Sequence, residues 1–287
     1  NSDQWSTQIA AKIEYIRASK VSENFTDGVT YGFDLGIVCA LEGVEMDAVR
    51  DLPLNWQSLR LHHDETRYLS GSLQTSDHTF SVIAAAAPRM GMPAATALAA
   101  KMILQFRPRF LCLVGICAGR ATKVSRGDVL IADPCWDWGS GKIVSRNDAP
   151  EFLPSPHQLD LDVDLRAQLV EICKDPALLA QVKARIRGTK PDRELRAHIG
   201  PVASGAAVVA DAGTFEGLLD QHRGLLGIEM EAYGVATACM ACGKPRPRFL
   251  AMKGVSDYAD KDKDDSLQEY AAQASAGLML EAARRFL

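Results

Sequence analysis

Residues 226–265 read LGIEMEAYGVATACMACGKPRPRFLAMKGVSDYADKDKDD, and the rest of the chain is understood outward from them. Glu229-Met230-Glu231 opens an Ala-rich segment of good helix formers, which predicts a helix. Residues 249–255 form a mostly apolar run of strand length, and Ser256-Asp257 follows at its end. A carboxylate near a helix start or a strand end is, taken singly, an ordinary helix charge or turn residue. The two together, in this local order, favour a site.

Upstream, residues 33–40 (FDLGIVCA) predict a core strand, and the acid-rich stretch 41–49 (LEGVEMDAV) a helix start. Residues 66–73 and 79–86 read as a hairpin around polar residues 74–78. The turn from Pro88 to Pro93 leads into an Ala-rich helix over about 93–105, where Pro93 suits the first turn. Residues 110–114 predict a buried strand ending in a Gly-rich turn, Gly115-Ile116-Cys117-Ala118-Gly119-Arg120. Only residues 121–128 separate that turn from the next strand, 129–132, which is too short for the crossover helix of a dinucleotide-binding unit. Beyond it come an aromatic, Gly-rich loop over 136–142, a helix-like stretch over 159–179, a strand and turn over 199–211 and a terminal helix over 268–286. At the other end, residues 4–19 space Trp5, Ile9, Ile13 and Ile16 as one face of a helix, and 20–32 read as a linker.

The 287 residues carry a net charge of −4, with 47% hydrophobic and 24% charged side chains, ordinary values for a globular protein. Nothing in that balance provides a field for nucleic acid or an anionic membrane. The apolar runs end well short of membrane-spanning length. Seven cysteines, an odd number read here as scattered rather than as a motif, suit a reducing cytoplasm better than a disulfide framework. The run at 260–265 lacks the glycine and closing glutamate of a calcium loop, so no metal and no other cofactor is expected.

Glu229-Met230-Glu231-Ala232-Tyr233 followed by Lys253-Gly254-Val255-Ser256-Asp257-Tyr258-Ala259-Asp260 resembles the purine nucleoside phosphorylase and nucleosidase superfamily. The resemblance is strongest to the hydrolytic branch that includes the methylthioadenosine/S-adenosylhomocysteine nucleosidases and nucleosidase effectors of bacterial defence. It runs in order from about Phe33 to the end of the chain. It implies a three-layer αβα sandwich around a twisted mixed sheet, with residues 1–32 as an N-terminal helix and linker and 33–287 as the catalytic domain. It also implies a homo-oligomer, and an upstream sensor module joined through the N-terminal helix. By the same resemblance Met230 and Glu231 grip the ribose and Asp257, beside Ser256, protonates the departing purine. A glutamate after the first strand activates water; Glu45 is preferred and Glu42 is the alternative. Ala118 lies in the stretch whose backbone lines the pocket. Val208 and Val209 occupy positions where relatives place an adenine-stacking Phe and a base-edge contact, so Trp136 or Trp138 is the candidate substitute.

Such residues suit N-glycoside cleavage. The transition state resembles an oxocarbenium ion, the base leaves best protonated, and water needs a carboxylate to orient and deprotonate it. The phosphorylases of the family bind phosphate at positions that here are Leu113 and Ile116, neither able to hold an anion, so water is the expected acceptor. The basic cluster between Lys183 and Arg196, with Arg185 and Arg187 foremost, is the candidate site for substrate phosphates, and Arg89 and Lys253 are further candidates. The expected substrate is thus a purine nucleotide such as ATP, or a nucleoside such as methylthioadenosine. A serine hydrolase would need a second glycine after Ser256, and a nucleoside-binding sensor would need the pocket without the acids.

Overall fold

Alternation along the predicted strands builds two cores at once. In the computed structural model, which describes residues 30–75, 78–146, 148–259 and 265–286, Phe110, Cys112 and Val114 join one buried cluster. Their neighbours Leu111 and Leu113 join another, as the two-residue period of a strand requires. The predicted helix over 4–19 and most of the run at 260–265 lie outside the described residues.

The strands are, in chain order, β1 (Phe33–Cys39), β2 (Gln57–Leu59), β3 (Tyr68–Gln74), β4 (Thr79–Ala86), β5 (Pro108–Gly119), β6 (Val129–Asp137), β7 (Gly141–Arg146), β8 (Ala149–Pro154), β9 (Ala197–Ser204), β10 (Gly227–Glu229) and β11 (Arg248–Asp257). Nine form one mixed sheet in the order β10-β9-β6-β11-β5-β1-β4-β3-β2, while β7 and β8 make a separate hairpin. The pairs β1–β4, β1–β5 and β5–β11 are parallel, and β11–β6 is antiparallel. The sheet curls enough for β10 to pair with β5 as well as β9, Ile228 facing both Ala118 and Ala203.

Helices cover both faces. They are α1 (Glu45–Arg50), α2 (Met92–Phe106), α3 (Val163–Cys173), α4 (Pro176–Arg185), α5 (Ala212–Gly217), α6 (Ala232–Ala241) and α7 (Gln268–Phe286). The first core takes Met46 and Val49 of α1, Leu165 and Leu169 of α3, Leu179 and Val182 of α4, and Leu278 of α7. The second takes Leu98 and Met102 of α2 and Val235 and Ala236 of α6. This is the expected three-layer arrangement.

Three expectations are corrected. Gly115 and Gly119 do not mark a turn, because β5 continues unbroken to Gly119. They are glycines for lack of room: a Cβ on Gly115 would lie 1.9 Å from a Glu45 oxygen, and one on Gly119 2.6 Å from Val255. The helical stretch at 159–179 is two helices. Asp175 accepts the amide N–H of Leu178 as an N-cap and Pro176 sits in the new first turn, so the chain restarts there. Glu229 ends strand β10 rather than opening the helix, which begins at Ala232.

Candidate active site

Acids from separate stretches of the sequence meet in space around one cavity of about 110 Å3, lined by Glu45, Glu229, Glu231 and Asp257. Ile116, Ala118, Trp138, Val208, Val209, Met230 and Ser256 complete much of its wall. Each acid is buried, and each is held by hydrogen-bond donors, several of them brought from distant parts of the chain.

Glu45 opens α1 and turns inward. Its Oε2 accepts the amide N–H groups of Ala40 at 2.7 Å and Leu41 at 3.0 Å, and its Oε1 accepts that of Ile116 at 2.8 Å. The missing side chain at Gly115 gives the carboxylate its space. Burial pushes the Glu45 carboxyl above the usual carboxylate range, outweighing the pull of Lys253 and the N–H donors. Glu42 lies at the exposed surface, paired with Arg50, so the structure brings Glu45 rather than Glu42 to the cavity.

Glu231 reaches the cavity from the start of α6. Its Oε1 accepts the N–H of Gly91 at 2.8 Å, and its Oε2 the Lys253 ammonium at 2.9 Å. Gly91, at φ 106°, adopts backbone that other residues rarely tolerate, which explains the glycine just before α2. Asp257, at the end of β11, accepts the Ser256 hydroxyl at 2.8 Å on Oδ2 and the Ala259 N–H at 2.9 Å on Oδ1.

Lys253 does not stand where a phosphate could reach it. It is 1% exposed, and its ammonium lies 2.9 Å from Glu231, 3.3 Å from Glu229 and 3.9 Å from Glu45. Burial alone would lower its pKa, but the three carboxylates together hold it well above the ordinary lysine value. A lone lysine inside an otherwise apolar strand run was the sequence signal for a buried ion cluster. Arg185 and Arg187 are likewise elsewhere: they pair with Glu281 and Asp51 and line a separate cleft between α1, α4 and α7. Lys183 and Lys190 spend donors on backbone carbonyls of their own region, while Arg193 donates to the Arg126 carbonyl and pairs with Asp128 in the β5–β6 connection. Arg89 is exposed beside Met90, which lines the cavity, and borders an adjoining cleft with Arg67 and Lys101.

Of the two aromatic candidates the structure brings only Trp138 to the cavity. Trp136 is fully buried, stacked on His222 with its indole N–H bonded to Gln221. Gly205 leaves room for the Trp138 ring, since a Cβ there would lie 1.9 Å from its indole nitrogen. Cys239 and Cys242 stand at the C-x-x-C spacing that a reading of scattered cysteines passes over. They lie at the C-terminal end of α6, not at a helix N-terminus that would favour a thiolate, and burial raises both thiols. Among the described residues no cluster of His, Cys, Asp and Glu could hold a metal ion, and no helix is long and apolar enough to cross a membrane.

Buried carboxylates at strand and helix ends around a curled mixed sheet define a nucleoside phosphorylase-like architecture, and residues 34–287 match the phosphorylase superfamily, so the chain belongs to that family. Among its relatives are the uncharacterized protein y4jS of Sinorhizobium fredii, 32% identical over 99% of this chain and 70% of that protein, and the ATP nucleosidase Cap17 of Escherichia coli. The latter is 27% identical over 77% of this chain, a match spanning 45% of Cap17. The fold is shared with the futalosine hydrolase of Helicobacter pylori (TM-score 0.69, 21% identity, 89% of this chain and 98% of that one). It is shared equally with the 5′-methylthioadenosine/S-adenosylhomocysteine nucleosidase of the same organism (TM-score 0.69, 20% identity, 88% and 99%).

Proposed function

We propose that this chain hydrolyses the N-glycosidic bond of an adenine nucleoside or nucleotide, releasing free adenine. The observation that carries the reading is the convergence of Asp257, Glu45 and Glu231 on one cavity from three separate elements of the fold. Similarity to nucleosidases supports the reaction class, and similarity to Cap17 supports ATP as the substrate.

In this reading Glu231, its carboxylate anchored by Gly91 and Lys253, accepts hydrogen bonds from the ribose hydroxyls, with Met230 packed beside the sugar. The purine lies between Trp138 and the aliphatic Val208 and Val209, against backbone near Ala118. Asp257 carries the proton to the base, and Ser256 orients it. As the glycosidic bond lengthens, positive charge grows on the sugar, and the excess of carboxylates over the single Lys253 stabilises it. Glu45 takes a proton from water as the water attacks the anomeric carbon; its raised pKa makes it a stronger base than an exposed glutamate.

The cavity is smaller than the roughly 300–1,000 Å3 of typical ligand sites. Residues 207–209, which line the cavity and include exposed Val208, are the part of its wall that would shift to admit a larger substrate. Arg89 is the remaining candidate for a substrate phosphate, since it borders the adjoining cleft. Residues 33–287 form the catalytic unit, working as a cytoplasmic homo-oligomer, and the preceding residues connect it to a sensor module in an antiviral defence protein.

The test is adenine release from ATP, AMP, adenosine and methylthioadenosine, each with and without phosphate, on wild type and Arg89→Ala. Phosphate-independent cleavage with ATP preferred, and a preference that Arg89→Ala removes, is the expected result. Cleavage of methylthioadenosine alone overturns the nucleotide reading, and cleavage only with added phosphate overturns hydrolysis.

A further inference from the structure

Helix α6 has no side-chain N-cap of its own: Glu231 occupies the capping position but its carboxylate is turned into the cavity. Three of the amide groups that would be orphaned there, those of Glu231, Ala232 and Tyr233, are nevertheless satisfied. Glu229 accepts the N–H of Glu231 at 2.9 Å on Oε2, and that of Ala232 on both oxygens, at 2.9 and 3.0 Å. Ser204, at the end of β9, accepts the N–H of Tyr233 at 2.9 Å while its own hydroxyl donates to Glu229 Oε1. Glu229 and Ser204 are register partners between β10 and β9, so sheet geometry sets where the two capping side chains stand. Glu229 also lies 3.3 Å from the ammonium that binds Glu231.

We propose that Glu229 is a positioning residue: together with Ser204 it caps α6 from the sheet and, through Lys253, fixes the Glu231 carboxylate for the sugar hydroxyls. The inference rests on the proposed role of Glu231 in holding ribose. The physical argument concerns division of labour. A helix N-terminus normally recruits its first residues as caps, and a residue spent on capping cannot also face a ligand. Moving the capping to Glu229 and Ser204 frees Glu231 at the point where the helix dipole and its N–H groups are strongest. Glu229 is buried, every one of its close partners is a donor, and a donor count of this kind holds an ionised carboxylate in one orientation. The ammonium shared by Glu229 and Glu231 makes the two carboxylates move as a unit: shifting one alters the charge balance of the other.

The experiment compares Glu229→Gln, Glu231→Ala and the double variant, with Ser204→Ala as a milder second probe. Glu229→Gln should lower kcat/KM for the best adenine substrate by about 10- to 100-fold, the range of one charge-assisted hydrogen bond network member. It should lower it hardly at all once Glu231 is already Ala, or when the substrate lacks the ribose hydroxyls. Ser204→Ala should show the same dependence at a smaller scale. Additive losses in the double variant would show that Glu229 acts apart from Glu231 and would overturn the proposal. A crystal structure of Glu229→Gln supplies the readout that does not depend on activity. The Glu231 carboxylate should lose its bond to the Gly91 N–H, and finding it unmoved, with Lys253 in place, would overturn the positioning role. Wild type without any base release, combined with a displaced Glu231 in the variant, would reject the proposed reaction while upholding the positioning of Glu231 by Glu229.

Discussion

Replacing Lys253 by Met removes the one cation that three buried carboxylates share, and the structure sets the size of the effect. Breaking a buried ion pair by deleting one partner costs about 3–5 kcal/mol, because the surviving charge stays buried without compensation. Here three charges survive rather than one, at 2.9, 3.3 and 3.9 Å from the lost ammonium. Proton uptake limits the loss, since Glu45 and Glu229 already have carboxyls raised by burial and rise further without Lys253. The expected loss is therefore about 3–5 kcal/mol near pH 8, a large part of the ~5–15 kcal/mol that holds a domain together. It should shrink as the pH falls toward the ordinary glutamate range of ~4.3, where the carboxyls protonate. Attraction falls with distance, so the interaction with Glu45 is about three-quarters of that with Glu231, from 2.9/3.9. Urea denaturation of wild type, Lys253→Met, Glu231→Gln and Glu45→Gln, and of the two double variants, at pH 8 and pH 5 and one protein concentration, measures all of this. Coupling should be larger for the Glu231 pair than for the Glu45 pair. A Lys253→Met loss below 1 kcal/mol at pH 8, or one that grows on acidification, would refute the shared-cation account.

The other expectations concern the reaction. Asp257→Asn should lower kcat by about 10²- to 10⁴-fold with the fold intact, the usual range for a general acid, checked by adenine release and circular dichroism. Glu45→Gln should damage turnover far more than Glu42→Gln, since Glu42 is exposed and bound to Arg50; the reverse order would move water activation to Glu42. Because burial raises the Glu45 carboxyl, its ionised form costs stability: the associated stabilisation is present at low pH and lost as pH rises through its folded-state pKa. The thermal midpoint of Glu45→Gln relative to wild type should therefore move in the variant's favour between pH 4.5 and 8, and the acid limb of kcat/KM in wild type should lie above the usual glutamate range. Trp138→Ala should raise KM by about 5- to 150-fold, the equivalent of about 1–3 kcal/mol for base stacking, whereas Trp136→Ala should act on stability instead.

The fold was largely legible because its strands are continuous apolar runs and its helices carry capping or Pro signals, as at 33–40, 93–105 and 249–257. Glycine misled. A Gly next to a strand suggests a turn, yet Gly115 exists because Glu45, seventy residues upstream in the chain, occupies the space its side chain would fill. No local pattern contains that contact. The acids Glu45, Glu231 and Asp257 stand out from their motif context, but Lys253 reads as a candidate phosphate ligand, because a sequence shows a lysine and not its three partners. The basic residues from Lys183 to Arg196 looked like an anion site for the same reason; in three dimensions Arg185 and Arg187 answer acids on α7 and at the end of α1. Glu229 was visible as a letter in the motif and invisible as a cap, since capping by a neighbouring strand depends on the register between β9 and β10.

The central claim is that water, activated at Glu45, replaces the base on the sugar. Running the reaction in water labelled with heavy oxygen and analysing the sugar product by mass spectrometry tests it most directly. One labelled oxygen on the anomeric carbon, in the presence or absence of phosphate, with free adenine in equal amount and turnover by Asp257→Asn lowered by about 10²-fold or more, is the predicted result. An unlabelled sugar 1-phosphate, or adenine formed at an unchanged rate by Asp257→Asn, would contradict it.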